Sequence, residues 1–271
     1  MSDYWKDKRV LVTGAHGFVG QNLVKLLKEK ECNILAPTSK ELDLTDEQQV
    51  KKYFFFYKPH IVLHLAGKVG GIGANKVAQG EFFYKNLMMG TLVLEYARQS
   101  ECEKVVALAA GCGYPKHLPV PYSEADFWKD LPDENSIGYS MAKKNLIIQS
   151  WTYREQYGLN SVILLPANLY GPYDNFDLET SHVVPALIRK FIEAKENNKK
   201  HVEVWGTGTA SREFLYSVDT AQAILDMAEK VNESGPFNLG TGTETSIKEL
   251  VDTIKESTGF KGEVVWDSTK P

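Results

Sequence analysis

The stretch that decides the fold is Val10-Leu11-Val12-Thr13-Gly14-Ala15-His16-Gly17-Phe18-Val19-Gly20. An apolar run leads into three glycines, and from Val19 to Lys28 apolar positions recur at helical spacing. A strand, a glycine turn and a helix in immediate succession are what a pyrophosphate cradle needs. Gly14 permits the tight turn, Gly17 lets backbone approach the ligand, and Gly20 allows close helix packing. The helix N-terminus adds unpaired amides and the positive end of its dipole. Glycines alone would mark only an ordinary turn, but the flanking strand and helix turn them into a dinucleotide fingerprint.

Short apolar runs continue outward from this unit: Ile34-Leu35-Ala36, Ile61-Val62-Leu63, Val105-Val106-Ala107-Leu108 and Val162-Ile163-Leu164-Leu165. Each precedes a segment of helical spacing, including Tyr139 to Tyr157, which Gly158 closes at a C-cap position. The alternation predicts an α/β fold, a Rossmann-type doubly wound parallel sheet. From Pro166 it loosens into Pro166-Ala167-Asn168-Leu169-Tyr170-Gly171-Pro172-Tyr173, where the chain is expected to cross into a smaller C-terminal substrate-binding lobe. The expected division is a cofactor-binding Rossmann domain over 1–165 with a return segment at 214–240, and a lobe built from 166–213 and 241–271.

Composition narrows the function. Of 271 residues 43% are hydrophobic, enough for a substantial core. The formal charge of −4 gives no positive field, which argues against nucleic acid or an anionic membrane as the main partner. Cys32, Cys102 and Cys112 follow no metal-ligand spacing and are too few for a disulfide framework, so a reducing, cytoplasmic setting and no metal are expected. The first residues, Met1 to Lys6, lack an apolar signal core, and no run approaches the roughly 20 apolar residues of a membrane span. The chain is expected to lead straight into its fold.

After the second apolar run, where a carboxylate would hold the ribose 2′-hydroxyl of NAD, the sequence reads Ala36-Pro37-Thr38-Ser39-Lys40. Two hydroxyls and an ammonium suit a 2′-phosphate instead, which favours NADP(H), although a lysine after a strand is otherwise a surface residue. Asp43, beside Leu44, is a candidate adenine contact, with Thr45 or Asp46 the alternative as a simple helix cap. The cofactor-binding expectation thus covers Gly14, His16, Gly17, Phe18, Val19, Gly20, Thr38, Ser39, Lys40, Asp43 and Leu44. It extends to Leu65, Ala66 and Gly67 after the third strand.

Tyr139-x-x-x-Lys143 sets a phenol and an ammonium on one helix face. A free tyrosine has a pKa near 10, so a neighbouring cation is the expected means of making it a useful proton donor or acceptor. With the glycine fingerprint, this pair resembles the extended short-chain dehydrogenase/reductase superfamily, the NAD-dependent epimerase/dehydratase family. The resemblance narrows through Cys112-Gly113-Tyr114-Pro115, Asn168 to Pro172, Asp174-Asn175-Phe176-Asp177 through Ser181-His182-Val183-Val184-Pro185 to Arg189, and Val204-Trp205-Gly206 through Arg212-Glu213-Phe214. These segments look like the GDP-L-fucose synthase family, and the likeness runs from Val10 to about Gly242.

That resemblance implies conversion of a GDP-4-keto-6-deoxy-hexose by epimerisation at carbons 3 and 5 and reduction at carbon 4 with NADPH. It implies catalytic roles for Tyr139 and Lys143 in reduction, with Lys143 also holding the cofactor, and for Cys112 and His182 in epimerisation. It makes Asn168, Arg189, Trp205 and Arg212 substrate-binding candidates, Arg212 suited to the diphosphate. The residues by themselves leave other readings open. A cysteine after a strand is often a small buried hydrophobe, a histidine before Val-Val-Pro can cap a helix, Arg189 fits a solvated helix face and Trp205 fits a core.

Two features depart from the resemblance. Relatives carry a Ser or Thr four residues before Tyr114, whose hydroxyl helps Tyr139 polarise the substrate carbonyl, and here that residue is Ala110. Losing one such donor costs about 10²- to 10³-fold in rate, unless water or Ser140 substitutes. The chain also ends at Pro271, where the family continues, so the lobe is expected to be incomplete. Three readings stand: the full epimerase/reductase, a relative performing only one half-reaction on a heptose or dideoxy GDP-sugar, and a catalytically weakened nucleotide-sugar-binding protein. A homodimer through helices such as Leu87 to Gln99 and Leu146 to Tyr157 is expected, although helices packed on their own sheet share that pattern.

Overall fold

Strands of Val, Ile and Leu need both faces covered, and helices with one apolar stripe supply the cover. In the computed structural model, which describes residues 3–178 and 180–270, this logic runs along the chain. β1 (Arg9–Thr13), α1 (Phe18–Leu27), β2 (Asn33–Leu35), α2 (Glu47–Tyr57) and β3 (Ile61–His64) come first. Then follow α3 (Ile72–Val77), α4 (Gln79–Gln99), β4 (Lys104–Leu108), α5 (Ile137–Tyr157), β5 (Ser161–Pro166) and β6 (Asn168–Tyr170). The remainder is α6 (Val183–Glu196), β7 (His201–Trp205), β8 (Ser211–Tyr216), α7 (Ser217–Lys230), β9 (Phe237–Leu239), β10 (Glu244–Ser246), α8 (Ile247–Thr258) and β11 (Glu263–Asp267).

The central sheet is parallel throughout, in the order β2-β1-β3-β4-β5-β9. Alternate side chains enter opposite cores. Leu11, Val62, Val105 and Ile163 pack with Val50 and Phe54 of α2, Leu92 of α4 and Leu146 of α5. Val10, Val12, Leu63, Val106 and Leu164 pack with Leu23 and Leu27 of α1 and Ile224 and Leu225 of α7. The chain is a Rossmann-type doubly wound parallel α/β fold. Strand order reverses between β1 and β3, and in open sheets of this kind the crevice beyond the carboxyl ends at the reversal receives ligands.

The smaller lobe has its own core. Leu187 and Phe191 of α6, Val202 and Val204 of β7, Val251 and Ile254 of α8, and Phe260 cluster there. β11 pairs in parallel with β7, and β8 lies between β6 and β10. α7 then packs on α1, and β9 lies beside β5 at the edge of the main sheet. Among the described residues, no helix is long and apolar enough to cross a membrane, and no His, Cys, Asp and Glu group has the arrangement of a metal site.

Candidate active site

The glycine turn is built as a cradle. Gly14 sits at φ +72°, and a side chain on it would meet the Ala66 amide at 2.8 Å, while one on Gly20 would overlap the Gly14 carbonyl. The turn closes by a Gly17 N–H to Gly14 carbonyl bond of 3.0 Å. No side chain caps α1 at Gly17, so the first-turn amides stay open to an anion. A cradle that a Cβ would fill, set at an uncapped helix N-terminus, fits a pyrophosphate.

Around it the expected contacts divide. Phe18 and Val19 open α1, and the imidazole of His16 bonds the Ala36 carbonyl at 3.0 Å, tying the turn to the end of β2. The Thr38 amide and hydroxyl donate to the Glu41 carboxylate at 2.8 and 2.9 Å, bonds that hold that carboxyl below its usual range. Thr38 is therefore committed to its own turn, whereas Ser39 and Lys40 are exposed beside it. Asp43 accepts from the Thr45 amide and hydroxyl at 2.8 and 2.7 Å, and Leu44 is buried. The helix cap is Asp46, which accepts from the amides of Gln48 and Gln49.

Leu65, Ala66 and Gly67 leave β3 alongside the cradle. The Ala66 amide donates to Thr13 Oγ1 at 3.3 Å, and Thr13 Oγ1 pairs with His64 Nδ1 at 2.7 Å. His64 is fully buried, and burial first, then the Lys143 charge, drives its pKa down to about 3. A side chain on Gly67 would come within 3.6 Å of Lys143 Nζ, which donates to the Leu108 carbonyl at 2.9 Å. Burial holds the Lys143 ammonium down, to about 8, with the nearby Cys112 opposing.

Tyr139 lies on the first turn of α5, its ring 6.5 Å from that of Phe82 and 5.8 Å from Lys143 Nζ. Burial, and then Cys112, raise its phenol pKa. The ammonium, one turn away and itself desolvated, does not offset that rise. Cys112 sits in the short turn Gly111–Gly113 after β4, against α5. Its residue surface is solvent-accessible while its sulfur is walled by protein, which pushes the thiol up against the opposing pulls of Ser140 and Lys143. Ser140 is fully buried, and its hydroxyl approaches the Cys112 carbonyl at 3.0 Å and sulfur at 3.3 Å. That hydroxyl faces the cysteine and is not a spare donor replacing the one absent at Ala110.

His182 occupies the N-cap position of α6, but no side-chain hydrogen bond caps that helix, which removes capping as the reason for the residue. The loop before it carries two orphaned buried atoms, Asp174 Oδ2 and Ser181 Oγ, and burial raises the Asp174 carboxyl against the weaker pull of the nearby His182. A side chain on Gly71 would sit 3.5 Å from the Ser181 carbonyl. The segment from Gly67 to Gly71 thus runs from beside Lys143 to beside the residue preceding His182.

The four lobe candidates are more scattered. Asn168 Nδ2 donates to the Glu213 carbonyl at 3.0 Å. Arg189 is engaged by Glu193 at 2.6 Å and the Phe176 carbonyl at 3.0 Å. Trp205 is 54% exposed, with Lys190 and Lys270 over its ring at 5.4 and 5.8 Å, so it is not core packing. Arg212 is exposed and donates to the Ser211 carbonyl at 2.6 Å. Among the described residues no hydrogen bond joins these four to Tyr139 or Cys112. Sequence reasoning missed Asn86, which pins the loop after Gly67 through the Lys68 amide and carbonyl, both at 3.0 Å. Its signal was a buried asparagine in the interior of α4, where that residue is a poor helix former.

The profile of the NAD dependent epimerase/dehydratase family matches residues 10–240. A GDP-L-fucose synthase of Sinorhizobium fredii is 40% identical over 264 residues, covering 97% of this chain and 84% of that protein. Two solved structures superpose closely. A GDP-6-OMe-4-keto-L-xylo-heptose reductase from C. jejuni does so with TM-score 0.92 at 31% identity, covering 98% of this chain and 87% of that one. A GDP-L-fucose synthetase from Naegleria fowleri bound to NADP gives TM-score 0.90 at 30% identity, covering 98% and 82%.

Proposed function

From the premise that the chain belongs to the NAD dependent epimerase/dehydratase family, we propose that it epimerises and reduces a GDP-4-keto-6-deoxy-hexose. It is an enzyme of the GDP-sugar epimerase/reductase type, and its cofactor is NADP(H). The observation that carries the finer reading is the convergence of Tyr139, Lys143 and Cys112 beyond β4, across the Gly67 segment from the cradle.

The residues divide the work. The backbone amides of the Gly14–Gly20 turn would hold the pyrophosphate of the cofactor, Ser39 and Lys40 would hold its 2′-phosphate, and Lys143 would hold its nicotinamide ribose. NADPH, when bound there, supplies hydride to carbon 4 of the keto sugar. Tyr139 gives its phenolic proton to the oxygen of that carbon, and the raised phenol pKa keeps the proton available. Cys112 and His182 exchange protons at the carbons next to the keto group, whose acidity the carbonyl provides. Asn168, Arg212 and Trp205 hold the substrate from the lobe side, and Arg189, bound to Glu193 and Phe176, buttresses the His182 helix.

Ala110 favours a second reading, in which reduction lags behind epimerisation. Its backbone is extended just before the Cys112 turn and its side chain offers no hydroxyl there. One experiment separates the readings: incubation with GDP-4-keto-6-deoxy-mannose in deuterated water, with and without NADPH. Deuterium uptake together with NADPH oxidation supports the full reaction. Either signal alone supports the half-reaction, and tight NADPH binding with neither signal refutes catalysis on this substrate.

A further inference from the structure

Ser140 follows Tyr139 in α5 and is fully buried. A serine inside a helix ordinarily returns its hydroxyl to the carbonyl of the preceding turn or faces water. Here the hydroxyl crosses to a different element, 3.0 Å from the Cys112 carbonyl oxygen and 3.3 Å from the Cys112 sulfur, with Ser136 Oγ at 3.4 Å. A hydroxyl has one proton to donate. While Cys112 is a neutral thiol its carbonyl is the better acceptor, and once it is a thiolate the sulfur is. Rotation about the Cβ–Oγ bond passes the proton from one acceptor to the other, with no movement of helix or turn.

The surroundings leave this role to Ser140. The ionisable groups facing the sulfur are Tyr139 and Lys143, both from α5. The Tyr139 phenol is kept protonated, and the Lys143 ammonium already donates to the Leu108 carbonyl at 2.9 Å. Besides Ser140, only the amide of Cys112 itself contributes a hydrogen bond to the sulfur among the described residues.

We propose that Ser140 is a positioning residue for the base: its hydroxyl turns from the Cys112 carbonyl to the Cys112 sulfur when the thiol is deprotonated, and holds the thiolate ready for the substrate. The inference rests on the reading of Cys112 as an epimerisation base. In that step the bond between carbon and hydrogen next to the keto group breaks, a bond between sulfur and hydrogen forms, and the electron pair passes into the enolate. The hydroxyl then returns to the carbonyl. Being spent on the sulfur, it is not available to the substrate oxygen beside Tyr139.

The test reads the sulfur directly. The Cys112 residue is exposed although its sulfur is largely enclosed, so its slow alkylation by the small reagent iodoacetamide can be followed by peptide mass spectrometry over a pH series, apart from Cys32 and buried Cys102. Ser140→Ala, a helix-compatible change, is expected to raise the alkylation midpoint by about one pH unit, roughly a tenfold loss of thiolate below it. Ser140→Thr, which keeps the hydroxyl, is expected to return the midpoint toward that of the parent. The pH profile of deuterium exchange into the keto sugar should move in parallel with the alkylation midpoint. An unmoved midpoint in Ser140→Ala overturns the proposal. A moved midpoint with an unmoved exchange profile upholds the hold on the sulfur and overturns Cys112 as the base.

Discussion

At the scale of single residues, burial decides what each ionisable group can do. Tyr139 is kept protonated, the state of a general acid, and Lys143 is held near its point of deprotonation by the same desolvation. Tyr139→Phe is therefore expected to abolish NADPH oxidation while deuterium exchange into the substrate continues, and equal loss of both would refute the division of labour. Ala110→Ser, at a nearly buried position, should raise the reduction rate by up to about 10²-fold in single-turnover assays. His64 carries a stability consequence. Its folded pKa of about 3 lies below the ordinary 6.5, so the stability it confers is complete above pH 6.5 and is lost as pH falls toward 3. At one unit below 6.5 the loss is about 1.4 kcal/mol. Urea unfolding of His64→Gln at two pH values should show a drop smaller than the parent's by that amount.

The pair Tyr139 and Lys143 was legible because helical spacing alone puts positions four apart on one face. The contact from Ser140 to Cys112 was not, since it joins a helix to a turn 28 residues earlier and depends on how the two are packed. The same applies to Thr38, whose hydroxyl looked free for a phosphate until Glu41, three residues on, claimed it.

At the scale of elements, α5 matters most, because it carries Tyr139, Ser140 and Lys143 together and packs along α4. The approach is tight at Gly138, where a methyl group would overlap the Gln79 carbonyl. Gly138→Ala should separate the two helices at their N-terminal ends, lower stability by about 1–3 kcal/mol in chemical denaturation, and reduce turnover with it. Strands β1, β3, β4 and β5 could be read from sequence because strands buried on both faces are continuous apolar runs. β6 and β10 are three residues each, too short for any periodicity to emerge, and their pairing is fixed by partners far along the chain, whereas β9, equally short, falls in the expected return segment and does lie in the main sheet. The helix Ile72–Val77 likewise starts in a glycine-rich run that reads as loop.

At the scale of the whole molecule, α4 and α5 also present Phe83, Tyr84, Ile148 and Tyr157 to solvent. Pairing of two copies through α4 and α5 around Ile148 would cover part of this apolar surface, and sedimentation velocity should return twice the chain mass, falling to one chain mass for Ile148→Glu. A single mass for the parent protein would refute the pairing. The lobe is a separate matter, because its core around Phe191 shares no member with either core of the main sheet. What joins the two is partly one side chain. Asn22 Nδ2 lies 3.1 Å from the Phe18 carbonyl, 3.1 Å from the Pro172 carbonyl and 3.2 Å from Ser217 Oγ. The helix that opens on the cradle is thereby stitched to the crossing into the lobe and to the start of α7. Proteolysis should report the stitch: the stretch after Pro172 exposes Tyr173, Phe176 and Leu178, all chymotryptic sites. Saturation with NADP should slow cutting there in the parent, whereas Asn22→Leu should be nicked quickly with or without it.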